Sequence, residues 1–353
     1  MKIMNVVSLF SSAGIGESFL KESGYDVLVA NELLPDRAEL YKKLYPETDM
    51  IVGNILDDSI YRKILSKVEN GLDILIATPP CQAMSVAGKN RKLEEMYNDK
   101  RNYLILKVID FISKKKPNFV LIENVPFLLK LIIKYDNENY EILDLLENIF
   151  GNEYKIESTI CDTSDFGIPQ TRKRAIIKMN KKNKKWKWPE KEKKITVKEA
   201  IGHLPSLESG EKSKIKWHYA RKHTDEHVLA MKHTPTGKSA FENKKFYPKR
   251  KNGEKVKAYG STYRRIKWNE PAPTITIRND AISSQRNVHP GKKRKNGEYS
   301  DARVLTPLEI MILSSLPEDW NVPSDTPELL LRRCIGESIP PLLTKKIISC
   351  IGK

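Results

Sequence analysis

Cysteine is scarce, with four in 353 residues, at Cys81, Cys161, Cys334 and Cys350. They lie far apart and none stands in a CxxC pair, which argues against a zinc site or a disulfide-built scaffold. The same scarcity fits a reducing, intracellular compartment. No apolar run approaches the roughly 20 residues of a membrane-spanning helix. The apolar segment that follows Met1 and Lys2 stops at Ser8. It is too short for the core of a secretion signal and reads as a buried strand. No internal repeat is visible. Acidic residues are in deficit, 45 against 62 Lys and Arg, for a formal charge of +17. What is present, 39% hydrophobic and 30% charged residues, suits a soluble globular chain of one large domain or two unequal ones.

The charge is unevenly placed. Residues 1–178 carry 24 basic and 26 acidic side chains, a net of −2. Residues 179–262 carry 23 against 9, a net of +14, and residues 263–353 carry 15 against 10, a net of +5. A merely lysine-rich composition would have raised the first part as well. A near-neutral front followed by a basic region is the footprint of a polyanionic partner such as nucleic acid.

Short apolar strands are expected at 3–9, 26–31, 72–77, 119–122 and 175–178, and helices at 17–23, 35–45, 103–113 and 142–149. Strands alternating with helices predict an α/β fold, a doubly wound, mostly parallel Rossmann-like sheet with ligands beyond the carboxyl ends of its strands. From about Met179 the alternation stops. Lysines crowd 181–194 with Trp186 and Trp188 interleaved, and turns follow at Thr234-Pro235-Thr236-Gly237 and Lys251-Asn252-Gly253. A smaller strand- and loop-rich domain is expected there. Helical pattern returns at 306–315, with Thr306 as N-cap and Pro307 at the first helical position, and at 341–350. The expected organisation is a catalytic and cofactor-binding domain at 1–178, completed by 303–353, and a second domain at 179–302.

The first strand runs into Phe10-Ser11-Ser12-Ala13-Gly14-Ile15-Gly16, small residues that let backbone approach a ligand. Glu32 closes the second strand, where a carboxylate can accept from ribose hydroxyls. Together they point to a nucleoside cofactor without separating a dinucleotide from S-adenosylmethionine. The third strand leads into Thr78-Pro79-Pro80-Cys81-Gln82. Paired prolines fix the backbone and aim Cys81 at the ligand edge as a candidate nucleophile. A free cysteine is more often a small buried hydrophobe, the reading that suits Cys161, Cys334 and Cys350. The next strand ends in Glu123-Asn124-Val125, placing a candidate acid at the same edge. In Gln170-Thr171-Arg172-Lys173-Arg174, the two arginines share a face if the segment is extended.

These blocks, in this order, resemble the DNA (cytosine-5) methyltransferases of bacterial restriction–modification systems. Gly336-Glu337-Ser338-Ile339-Pro340-Pro341 is similar to the family's last block, and the segments around Pro273-Thr274-Ile275-Thr276 and Arg303-Val304-Leu305-Thr306-Pro307-Leu308-Glu309 also look family-like. The resemblance spans nearly the whole chain. It implies transfer of a methyl group from S-adenosylmethionine, with S-adenosylhomocysteine as product, to C5 of a cytosine flipped out of a specific duplex DNA sequence. It implies that Cys81 adds to C6, that Glu123 holds or protonates N3, and that Arg172 and Arg174 engage the base and its O2 side. The loop 85–100 would close over the base. Phe10 would stack on adenine and Glu32 bind the ribose. Ser11, Ala13, Gly14, Ile15, Gly16, Leu33, Asn54, Ile55, Pro79, Leu104, Glu337 and Ser338 would complete the cofactor pocket. The basic window 179–262 falls where the target-recognition region belongs. The setting implied is the prokaryotic cytoplasm and nucleoid, a monomer without metal or membrane, with a cognate restriction endonuclease as functional partner.

Three positions depart from the family pattern: Glu17 where a second glycine is common, Asn54 where Asp is usual, and Glu337 where Asn is usual. Other readings of the chain are a tRNA-methylating enzyme of the same fold, a DNA-binding module without catalysis, and an NAD enzyme. The last lacks a full G-x-G-x-x-G and leaves the Pro-Cys motif unexplained.

Overall fold

The computed structural model describes residues 3–80, 104–250, 252–254, 256 and 259–352. The chain separates into two compact units. The first comprises Met1–Asp162, Lys173–Glu190 and Leu343–Lys353, the second Thr163–Arg172 and Lys191–Leu342.

The first unit is built on a seven-stranded sheet. Its strands are β1 (Met4–Leu9), β2 (Tyr25–Glu32), β3 (Asp49–Val52), β4 (Ile74–Ala77), β5 (Phe119–Asn124), β8 (Tyr154–Asp162) and β9 (Lys173–Lys181), in the order β3-β2-β1-β4-β5-β9-β8. A separate hairpin joins β6 (Ile132–Tyr135) to β7 (Glu138–Glu141). The five strands from β3 to β5 are parallel, and β9 runs antiparallel to both β5 and β8. Helices α1 (Pro35–Leu44), α2 (Asp58–Ser66), α3 (Leu104–Lys115) and α4 (Ile142–Phe150) belong to the same unit. β4 is apolar end to end and β5 is apolar as far as Ile122, and both are buried throughout, as a sheet covered on both faces requires. Their side chains merge with Val108, Phe111 and Ile112 of α3 and Leu145 and Leu146 of α4 into one core.

The doubly wound expectation holds. Besides the β6–β7 hairpin, the strands it missed are β3 and β8, the edges of the seven-stranded sheet. β3 is four residues long, and β8 is largely half-buried, so neither carries a clear apolar signature. The helix expected at 17–23 is instead two single 3-10 turns, Ile15–Glu17 and Lys21–Ser23. Left-handed Gly14 and Gly24 bracket the stretch, and the Ser18 and Ser23 hydroxyls donate to the carbonyls of Ile15 and Phe19. Those local bonds compete with a helical ladder.

The second unit is loop-rich, as expected, and its β content takes the form of isolated bridges such as Ser239 with Arg264 and Val288 with Val304. It contains α5 (Val197–Ile201), α6 (Asp225–Lys232), α7 (Pro307–Leu313) and α8 (Glu328–Glu337); α9 (Pro341–Ile348) follows. Thr306 caps α7 in a reciprocal box with Glu309, and Pro307 holds the first position, as the sequence indicates. Met231, Ile282, Val288 and Val304 form a small apolar core. The boundaries differ from those expected at 178 and 303. β9 continues to Lys181, and Trp186 is buried against Phe119 while donating to the Ile347 carbonyl, which ties 179–190 to the sheet. Residues 303–342 group with the second unit. Among the described residues no helix is long and apolar enough to cross a membrane.

Candidate active site

The parallel register lines up the strand exits. Leu9 of β1 pairs with Asn31 of β2 and Ala77 of β4, and Ala77 pairs with Ile122 of β5. The next residue on each strand or just past it is therefore at the carboxyl edge: Phe10, Glu32, Thr78 and Glu123. The strand order reverses about β1 and β4, so this edge is also the switch point where such sheets bind ligands.

On the β1–β2 side the chain turns sharply. Phe10, Ser12 and Gly14 all have positive φ, at 63°, 50° and 71°. At Gly14 a Cβ would sit 2.5 Å from the Tyr45 ring, so glycine is required twice over, by conformation and by space. Glu32 is buried, and its two carboxylate oxygens accept from the Ser12 and Leu34 amides at 2.8 and 2.9 Å. Each oxygen retains a further lone pair. Ser11, Ala13 and Ile15 are buried in the fold, so this loop can offer a ligand backbone rather than side chains, while Phe10 and Gly16 are half-buried. Beyond β3, Asn54 is exposed and its side-chain carbonyl accepts from the Leu56 amide at 3.0 Å; Ile55 is buried. Leu33 is exposed, and Leu104 is buried at the first position of α3.

Glu17, one of the departures, lies beneath this loop at 6% exposure. It accepts from the Ser8 hydroxyl and, at 2.5 Å, from Tyr41 on α1. Ser8 Oγ in turn accepts from Ser11 Oγ at 2.9 Å. Burial pushes the Glu17 carboxyl up to about 7, against the two hydroxyl donors that stabilise its charged form.

On the β4–β5 side, Glu123 forms an ion pair with Arg174 Nε at 2.8 Å, both largely buried. In the antiparallel ladder Glu123 faces Ile176, so Arg174 is its same-face diagonal neighbour on β9. Asn124 donates from Nδ2 to the Pro79 carbonyl at 2.9 Å, tying β5 to the turn after β4. Thr78 donates to the Leu9 carbonyl from its amide and to the Phe10 carbonyl from its hydroxyl, at 3.2 and 3.0 Å. Cys81 and the loop 85–100 lie outside the described residues.

The pairing of Arg172 with Arg174 does not occur as the sequence implies. β9 begins at Lys173, so Arg172 precedes the strand. Its guanidinium is buried in the second unit and donates to the carbonyls of Ile275, Gly336 and Glu337 at 2.9, 3.0 and 2.8 Å. Gln170 is equally buried there, accepting from the Ile275 amide and donating to the Leu313 carbonyl and Ser314. Glu337 ends α8 and Ser338 is its C-cap, donating to the Cys334 carbonyl. Sequence reasoning missed Thr78, the Asn124 side chain and the Tyr41–Glu17 contact. Thr78 had a readable signal, a hydroxyl immediately before two prolines at a strand end; the Tyr41 contact spans 24 residues and had none.

A family model described as C-5 cytosine-specific DNA methylase matches residues 4–353. The chain is 59% identical over 342 residues to the type II methyltransferase M1.HgaI of Avibacterium volantium, covering 97% of this chain and 96% of that one. It is 25% identical over 356 residues to the type II methyltransferase M1.HphI of Haemophilus parahaemolyticus, covering 99% and 87%. Among solved structures, a putative DNA modification methyltransferase encoded within an E. coli prophage matches with a TM-score of 0.71 at 21% identity, over 98% of this chain and 97% of that one.

Proposed function

The chain belongs to the C-5 cytosine-specific DNA methylase family, and from that premise we propose that Cys81, Glu123 and Arg174 perform the methyl transfer at the carboxyl ends of β4 and β5 and the adjoining amino end of the antiparallel β9. It is a type II cytosine-5 DNA methyltransferase of the restriction–modification class. The observation that carries the residue assignment is the buried Glu123–Arg174 pair, joined through Asn124 to the Pro79-Pro80 turn that leads to Cys81.

Cytosine C5 is a poor nucleophile. Addition of the Cys81 thiolate to C6 makes a C6–S bond and moves the C5–C6 π electrons onto C5. Glu123 hydrogen-bonds N3 and places a proton there as charge builds on the ring, while Arg174 holds the carboxyl in position and faces the O2 side. S-adenosylmethionine supplies the methyl group as a sulfonium, leaving as S-adenosylhomocysteine. A base then removes the C5 proton, the C5–C6 double bond re-forms and Cys81 departs. A base inside the duplex cannot reach this edge, so the cytosine is flipped out. Arg172 acts at one remove, holding the Gln170–Arg174 block in place through its backbone contacts.

The residues present fit the cofactor. Glu32 is a buried carboxylate with acceptor sites in hand for a ribose diol, Phe10 offers an aromatic face for adenine, and the loop from Ser11 to Gly16 offers backbone. Asn54 shares its carbonyl between the Leu56 amide and the adenine amino group. The basic loops within residues 191–302 read the target sequence. The setting we assign is a monomer in the prokaryotic cytoplasm acting on nucleoid DNA, with a cognate endonuclease as functional partner.

The test is methyl transfer to duplex DNA carrying 5-fluorocytosine, with wild type beside Cys81→Ser. Fluorine at C5 blocks proton removal and traps the adduct. A covalent complex with wild type but not with the variant is expected. Absence of an adduct on DNA of varied sequence, with one on tRNA, would overturn the substrate assignment.

A further inference from the structure

Phe10 and the Pro79-Pro80 turn belong to different halves of the site, one to the cofactor and the other to the nucleophile. One side chain joins them. The Thr78 hydroxyl donates to the Phe10 carbonyl at 3.0 Å, and its amide donates to the Leu9 carbonyl at 3.2 Å. Thr78 therefore holds the carbonyls on both sides of the Phe10 nitrogen and α-carbon. That grip matters because Phe10 has φ 63°, a region unfavourable by roughly 1–2 kcal/mol for a residue with a Cβ. Such a conformation persists only where its surroundings enforce it. A further local restraint is the Ser11 amide, which donates to the Asn31 carbonyl at 3.0 Å. Thr78 is itself restrained to extended geometry by the proline that follows. Its neighbour Pro79 is pinned from the far side by Asn124 at 2.9 Å. The exit of β4 is thus clamped to the exits of both flanking strands.

We propose that Thr78 is a positioning residue that couples the cofactor loop to the nucleophile turn, so that a ligand stacked on Phe10 alters the placement of the chain entering Cys81. This rests on the assignment of Phe10 to the cofactor and Cys81 to the base. Moving or tightening the Phe10 peptide shifts the carbonyl that Thr78 holds. Thr78 is bonded directly to Pro79, and the two proline rings hold φ fixed, so the displacement is passed into the turn and to the Asn124 contact rather than absorbed. The hydroxyl is the coupling element; the amide bond to Leu9 continues the β1–β4 ladder and survives substitution of the side chain.

The experiment measures the alkylation rate of Cys81 by iodoacetamide in the full chain, resolved from the other cysteines by mass spectrometry, with and without S-adenosylhomocysteine. Wild type and Thr78→Ser, which keeps the hydroxyl, are expected to change rate about fivefold or more on adding the ligand. Thr78→Val keeps the shape and the β-branched extended preference but lacks the donor. Its Cys81 rate is expected to be insensitive to the ligand, while isothermal titration still shows the ligand binding. Thr78→Ala serves the same purpose if the valine variant does not fold. Full ligand dependence in the hydroxyl-free variant, or none in wild type that binds the ligand, would overturn the coupling. The 5-fluorocytosine adduct is measured in parallel. Its absence with wild type sinks the Cys81 assignment, whereas its presence with unchanged ligand dependence in Thr78→Val sinks the coupling alone.

Discussion

Two buried carboxyls, one at a strand exit and one beneath the loop after β1, have different tasks. Glu123 faces Arg174 at the edge proposed for the reaction, and Glu123→Gln keeps the shape while removing the acid. Turnover is expected to fall by about 100-fold or more, with DNA binding retained; turnover near wild type in a steady-state assay would remove Glu123 from the mechanism. Glu17 faces only hydroxyls among the contacts described, from Ser8 and Tyr41, and titrates near 7 in the fold against 4.5 outside it. Because the folded value is raised, the native state holds its proton more tightly between those values. Stability from this group is therefore present below about pH 4.5 and lost as pH rises through about 7. Glu17→Gln, which is neutral at every pH, should gain stability over wild type as pH rises through that window, by on the order of 3 kcal/mol at pH 8. Denaturant melts at pH 5 and pH 8 check this, and an equal difference at both would show that the carboxyl does not titrate there.

The elements show how buried charge is placed in a unit with few ladders. Thr306 and Glu309 cap α7, and the same Glu309 accepts both arms of Arg303, which also bonds Asp301. All three charged groups are almost fully buried. Burial alone would raise the Glu309 carboxyl, but Arg303 and the neighbouring His289 hold it down to about 2. Its contribution is therefore present above its unfolded value near 4.5 and is lost as pH falls toward 2. Removing one partner of such a network strands the others in a dry interior. Arg303→Ala is expected to cost about 3–5 kcal/mol, while Arg303→Lys leaves the fork geometry unmatched and recovers only part. Thermal melts of the full chain decide; a loss below about 1 kcal/mol would mean the network relaxes into water. Most of its members lie within nine residues of one another, but the sequence reads as an ordinary capped helix preceded by a basic residue.

At the scale of the molecule, the charge excess is a surface property only in part. Lys178, Arg172, Arg265, Arg303 and Arg332 are buried and act on carbonyls and carboxylates within the fold. Trp186, interleaved with the lysines of 181–194 in the sequence, packs on the sheet. Exposed lysines remain in the second unit, among them Lys244, Lys245 and Lys249. Changing these three to Gln is expected to flatten the salt dependence of DNA binding, by up to about 0.9 in slope for each phosphate no longer neutralised. Arg265→Met should leave that slope unchanged and lower the melting temperature. Filter binding across a range of salt concentrations distinguishes the two; an unchanged slope for the lysine variant would show that this cluster does not meet phosphate.

The order of chemical blocks along the chain was enough to determine the doubly wound sheet and the family, and it set Glu123 at a strand end. Each depends on local pattern: apolar runs of strand length, a turn of small residues, prolines that fix the backbone. The edge strands β3 and β8 escaped because half-buried strands lack that contrast. Tertiary structure decided which arginine meets Glu123. The antiparallel register of β9 against β5 makes Arg174 the neighbour, and the strand's start at Lys173 leaves Arg172 to the carbonyls of a segment more than 100 residues away. It also decided that Glu17, an irregularity in a glycine loop, is a buried acid under two hydroxyls, and that Thr78 grips Phe10. A strand's side-chain pattern is written every second residue along the chain, but register and long-range hydrogen bonds are set by which strands lie side by side, and no local spacing records that.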